Sequence, residues 1–136
     1  MGRAAGGHPG ARRLTSVHER VGGDAYFVAL VERFYARVED DPVLRPVYPA
    51  NLEPGKANLA AFLAQYWGGP PSYSARRGHP RLRMRHFPFA IGTAERDAWV
   101  RHMVDVVRES TAGPDDAVAL VAYFEQAATM LVNQDG

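Results

Sequence analysis

The chain has 136 residues, enough for one domain with a hydrophobic core and too few for two. With 46% hydrophobic and 23% charged residues it has the make-up of a soluble globular protein, and a formal net charge of +1 gives no overall pull toward nucleic acid. Cysteine is absent, which excludes disulfides, thiolate metal sites and a cysteine nucleophile, and leaves histidine as the metal ligand to look for.

Residues 1–14 (MGRAAGGHPGARRL) show no apolar period and read as a flexible tail ahead of a single domain over 15–136. They lack the apolar stretch of a secretory signal, and no apolar run approaches the roughly 20 residues that span a bilayer. The expected setting is therefore cytoplasmic, without a membrane span.

A short helix is expected after the tail, because Ser16 and Glu19 have capping-box spacing and Gly22-Gly23 closes the turn. A second helix runs from about Asp24 to Glu39, with Tyr26, Phe27, Leu30, Val31, Phe34, Tyr35 and Val38 on one face, and stops at Asp40-Asp41-Pro42. An irregular stretch with Pro42, Pro46 and Pro49 follows. Pro54 suits the first turn of a third helix, whose predicted stripe is Leu59, Phe62, Leu63, Tyr66 and Trp67, ended by Gly68-Gly69-Pro70-Pro71. Residues 70–92 are loop-rich and basic, with one short helix from near Pro80. A long helix over about Thr93 to Glu109 is expected to bury Trp99, Val100, Met103, Val104 and Val107. The last, over about Asp115 to Asn133, carries Val118, Leu120, Val121, Phe124, Ala128, Leu131 and Val132. The fold class is all-α.

Five histidines are candidates for chemistry. His8 lies in the tail, His18 reads as near the surface of the first helix, His79 as a turn residue before Pro80, and His102 as a partly exposed helix residue. His86 differs. It ends the segment PRLRMRH, with Leu82 one turn before it and Phe87, Pro88 and Phe89 after it, an apolar collar suited to a proximal haem ligand. Spacing alone does not single out iron, and a satisfied core histidine fits the same pattern. Arg76, Arg77, Arg81, Arg83 and Arg85 form a basic cluster that fits a solvated loop, haem propionates or a phosphate backbone. Without a recognition helix it is weak support for nucleic acid, and none is expected as a partner. Metalloprotease, P-loop and dinucleotide motifs are missing.

The segment from Tyr66 to Met103, YWGGPPSYSARRGHPRLRMRHFPFAIGTAERDAWVRHM, resembles the corresponding region of the group-II (O-type) truncated haemoglobins. VGG at Val21–Gly23, RFYARVEDDPVLRPVYP over Arg33–Pro49, FLAQYW over Phe62–Trp67 and AATMLVN over Ala127–Asn133 match the same family in the same order, so the resemblance covers roughly residues 15–134. It implies a truncated globin fold, a two-over-two helical sandwich around haem b (iron protoporphyrin IX), with His86 as the iron ligand. By the same resemblance, Tyr35, Tyr48 and Trp99 are the distal residues facing the bound ligand and Leu59 and Phe62 the apolar distal wall. Tyr73 and Arg85 then match propionate partners. Gly55 falls where the family has a small residue, and an open distal side is expected there.

The implied function is binding of dioxygen and other small diatomic ligands at a ferrous iron. Nitric oxide dioxygenation or peroxidase-like turnover on the same haem, with a reductase partner, is the enzymatic alternative. A cofactor-free helical binding module is the alternative from another class. The sequence shows no interface and leaves the oligomeric state open. Because the tail has no core to join, deleting residues 2–13 is expected to leave the thermal midpoint unchanged within error; a large drop in a melting curve would show that it packs on the domain.

Overall fold

In the computed structural model, which describes residues 15–71, 73–74, 91–130 and 132, Ser16 opens the first helix: its hydroxyl accepts from the Glu19 amide at 3.1 Å. This helix, α1 (Val17–Val21), ends on Gly22, whose φ of 117° lies in the left-handed region that favours glycine. The α2 helix (Asp24–Glu39) has the predicted bounds, and all seven residues of its predicted apolar face are buried. Asp41 and Pro42 turn the chain into a corner. The Asp41 carboxylate accepts from the amides of Val43 (2.7 Å) and Leu44 (3.3 Å), and a 3-10 turn over Arg45–Val47 follows. The Arg45 guanidinium then donates to the carbonyls of Tyr48, Pro49 and Ala50 at 3.1–3.3 Å, satisfying backbone that no helix pairs.

The α3 helix (Glu53–Tyr66) has Pro54 in its first turn, as expected. Its end is closed by Gly68 (φ 113°) and by the Gly69 amide donating to the Ala64 carbonyl at 2.8 Å. A Cβ at Gly68 would run into the Ser16 side chain. The His18 amide donates to the Trp67 carbonyl at 2.9 Å, so α1 is seated on this end of α3. The α4 helix (Thr93–Arg108) begins with the Glu95 carboxylate accepting from the Gly92 amide at 2.8 Å, and α5 (Pro114–Met130) completes the described residues' five helices. α2 packs on α3 and α4 on α5, and α2 against α4 joins the two pairs. Phe27, Leu30, Phe34, Leu63, Met103, Leu120 and Phe124 fill the shared core. Around it, Arg20 pairs with Asp116 (2.9 Å) and Arg37 with Glu109 (2.6 Å), while the Tyr26 hydroxyl meets Ser110 at 2.8 Å. No helix among the described residues is long and apolar enough to cross a membrane.

Several expectations need correction. Val118 is 71% exposed, because two residues along a helix turn the side chain by about 200° and Leu120, fully buried, holds the core side. Tyr66 is 53% exposed: it lies at the end of α3, and its ring packs on Tyr123 with centroids 4.4 Å apart rather than entering the core. On α4, Val104 and Trp99 are half-buried, while Ala98 and Val106 are buried because the helix is packed from two sides. His18, expected near the surface, is half-buried: its ring is stacked at 6.1 Å on Phe27, and Nε2 meets the exposed Asp24 carboxylate at 2.6 Å. The tail over 1–14 and the short helix expected near Pro80 lie outside the described residues.

The contrast within α5 is testable by urea unfolding. Leu120→Ala is expected to lower stability by about 2–5 kcal/mol, and Val118→Ser to stay within about 0.5 kcal/mol of the parent. Equal losses would contradict this placement of α5.

Candidate functional site

A cavity of about 390 Å³ lies among α2, the corner, α3, α4 and α5. Its walls are largely apolar: Leu44, Leu59, Phe62, Leu63, Ile91 and Phe124. Among the polar side chains that reach it, three come from three separate elements: Tyr35 from α2, Tyr48 from the end of the corner and Trp99 from α4.

Tyr35 is 5% exposed and sits edge-on to both Phe34 and Tyr48, with centroids 5.5 Å apart in each case. Burial pushes its phenol up to about 12, opposed by the charge of Lys56. Burial acts still more strongly on Tyr48, and the neighbouring Tyr35 adds to it. The neighbouring Trp99 side chain acts in the opposite sense. Both phenols are neutral across the physiological range, as an ordinary tyrosine is, and carry O–H groups that can donate. Trp99 is held edge-on between Phe34 and Phe124, with centroids 5.6 Å from each.

Gly55, in the first turn of α3, is where an open side was expected. The Tyr35 hydroxyl fills that room instead: a Cβ on Gly55 would lie 2.8 Å from it. The missing side chain is thus what lets the phenol reach this position. Tyr73 also lines the cavity; it is 3% exposed, with its ring edge-on to Phe62 at 5.4 Å.

Sequence reasoning missed Glu95, Arg96, Asn58 and Tyr123, which also line the cavity. Glu95 and Arg96 stand one helical turn before Trp99, so the spacing could have pointed to them. Arg96 is engaged by the Thr129 hydroxyl at 3.1–3.2 Å and by Asp97 at 3.0 Å.

His102 was expected to be partly exposed. Its side chain is 14% exposed, and Nε2 meets the Asp41 carboxylate at 2.5 Å. Neither His18 nor His102 lines the cavity, and among the described residues no cluster of three or more metal-ligating side chains occurs. His86 and Arg85 lie outside the described residues, as do His8, His79 and the rest of the arginine cluster.

An apolar slot with neutral donors gathered on one part of its wall suits a flat, mostly apolar prosthetic group that carries a small polar ligand. Residues 16–133 match the model of the bacterial-like globin family. The chain is 38% identical over 112 residues to the group 2 truncated hemoglobin of Bacillus subtilis, covering 82% of this chain and 85% of that one. Among solved structures it is similar to the hemoglobin of the thermophilic phototroph Chloroflexus aurantiacus, at 50% identity and a TM-score of 0.86, covering 88% of this chain and 99% of that one. The group II truncated hemoglobin of Bacillus anthracis superposes with the same TM-score at 30% identity, covering 90% and 99%. With the all-helical two-over-two arrangement and the aromatic cavity between its helix pairs, these matches show that the chain belongs to the bacterial-like globins, in the group-II truncated haemoglobins, whose prosthetic group is haem b.

Proposed function

We propose that this globin binds dioxygen and other small diatomic ligands in the cavity, held by hydrogen bonds from Tyr35, Tyr48 and Trp99. The observation that carries this reading is the convergence of these three side chains, from three separate elements, on one apolar cavity. Haem b supplies the iron at which a diatomic ligand can bind. The protein's part is to surround that ligand with donors and to exclude water. Dioxygen takes on negative character when it binds, and donors in a dry, low-dielectric wall act on it more strongly than they would in water.

We assign the iron to His86. Two of the five histidines are already committed, His18 to Asp24 and His102 to Asp41, and both stand away from the cavity. Of the others, His86 is the one flanked by apolar residues and by the family's motif. Leu59 and Phe62 form the distal wall in this reading, and Tyr73 and Arg85 pair with the propionates. Three donors around one ligand slow its release. That favours retention, and hence redox turnover with a reductase partner such as nitric oxide dioxygenation, over simple carriage.

Two experiments test these assignments. The purified protein is expected to show a Soret band, and His86→Ala to lose most of its haem while His102→Ala keeps it; an empty His102→Ala protein with a loaded His86→Ala protein would overturn the ligand assignment. A hydrogen bond to a charged acceptor is worth about 1.5–3 kcal/mol, so Tyr48→Phe or Trp99→Phe is expected to speed dioxygen dissociation roughly 10- to 150-fold, with a less than additive double mutant. Rates within about twofold of the parent for both single variants, by rapid ligand displacement, would show that these aromatics only fill the core.

A further inference from the structure

Asp41 is the only charged side chain among the described residues that is buried. Its carboxylate serves two elements at once. One oxygen accepts from the Val43 and Leu44 amides, at 2.7 and 3.3 Å, at the start of the corner. The other accepts from His102 on α4 at 2.5 Å, with Arg101 at 3.4 Å on its exposed side.

Each arm leads to a cavity donor. From Leu44, backbone bonds continue to Val47 (2.9 Å) and from Arg45 to the Tyr48 amide (3.2 Å), while the Arg45 guanidinium holds the carbonyls on the far side of Tyr48. From His102, one turn of α4 leads back to Trp99 on a rigid helix. A further observation separates this tie from ordinary packing: the other ring nitrogen of His102, Nδ1, is buried without a hydrogen-bond partner. A buried polar atom without a partner destabilises the fold, so a leucine would suit this position better if filling space were all that mattered. The histidine makes sense there through its bond to Asp41.

We infer that Asp41 and His102 are positioning residues that set the spacing of Tyr48 and Trp99 across the cavity without touching the ligand. The clamp joins residues 61 apart in the chain and holds the corner against α4. The inference rests on the donor reading above and adds to it what keeps the donors in register.

The test uses the haem-loaded full chain. His102→Leu removes the bond and keeps bulk; His102→Gln keeps an N–H to give Asp41; Tyr48→Phe is the control for the donor itself. Three quantities are followed: the dioxygen dissociation rate, the C–O stretching frequency of the ferrous carbon monoxide complex, and the thermal midpoint. A displaced rather than deleted donor is expected to speed dissociation in His102→Leu by about 3- to 10-fold and to move the C–O band in the same direction as Tyr48→Phe, with His102→Gln returning both toward the parent. Should the leucine variant not fold, Asp41→Asn takes its place: it keeps an oxygen for the Val43 and Leu44 amides but weakens the tie to His102, and the same shifts are expected. A lower thermal midpoint with the rate and band unchanged would overturn the inference and leave the pair as a stability element only. A silent Tyr48→Phe would instead overturn the donor reading beneath it.

Discussion

An apolar wall keeps water away from a phenol, and a phenol shielded from water has its O–H free for another partner. The site depends on that constraint. Were the cavity wetter, Tyr35 and Tyr48 would titrate closer to the ordinary tyrosine range, and water would compete for their hydroxyls. Burial removes that competition and raises both phenols further above their ordinary range. The same burial demands that each polar atom find a partner. Tyr35 extends over Gly55, where no side chain blocks its hydroxyl.

The corner between α2 and α3 is the costliest backbone to build. It leaves a helix at Asp41, makes one 3-10 turn and enters the next helix at Pro54, with few amides or carbonyls paired by regular structure. Two side chains compensate. Asp41 accepts at its beginning and Arg45 donates at its end, so Tyr48 stands between two charged side chains bonded to backbone. Hydrogen bonds to charged groups are the stronger kind, which suits a segment that must place one phenol accurately without a helix of its own.

Much of the framework could be read from the residues. The alternating three- and four-residue spacing on α2 placed all seven of its buried side chains, and the breakers Asp41-Pro42 and Gly68-Gly69-Pro70 marked where helices stop. Period failed where two apolar residues stood on opposite sides of one helix, as with Val118 and Leu120, because hydrophobicity names candidates and geometry chooses between them. It failed again in the corner, whose order comes from side chain to backbone bonds that have no period. The pairing of Asp41 with His102 joins residues far apart in the chain, and nothing local to either one signals the other. The site itself was legible mainly through resemblance. A tyrosine or tryptophan on an apolar face is core by default, and only the joint match of Tyr35, Tyr48 and Trp99 to a family pattern marked them out. The structure adds that the three reach one cavity, and that Gly55 is small because Tyr35 needs the space.

The central claim is that the cavity's neutral donors hydrogen-bond the ligand. Resonance Raman spectroscopy of the dioxygen complex in light and heavy water tests it most directly, because exchange replaces the donated protons and leaves the rest of the site unchanged. The account predicts that the iron–dioxygen stretching band shifts between the two solvents. An identical band in both would contradict it.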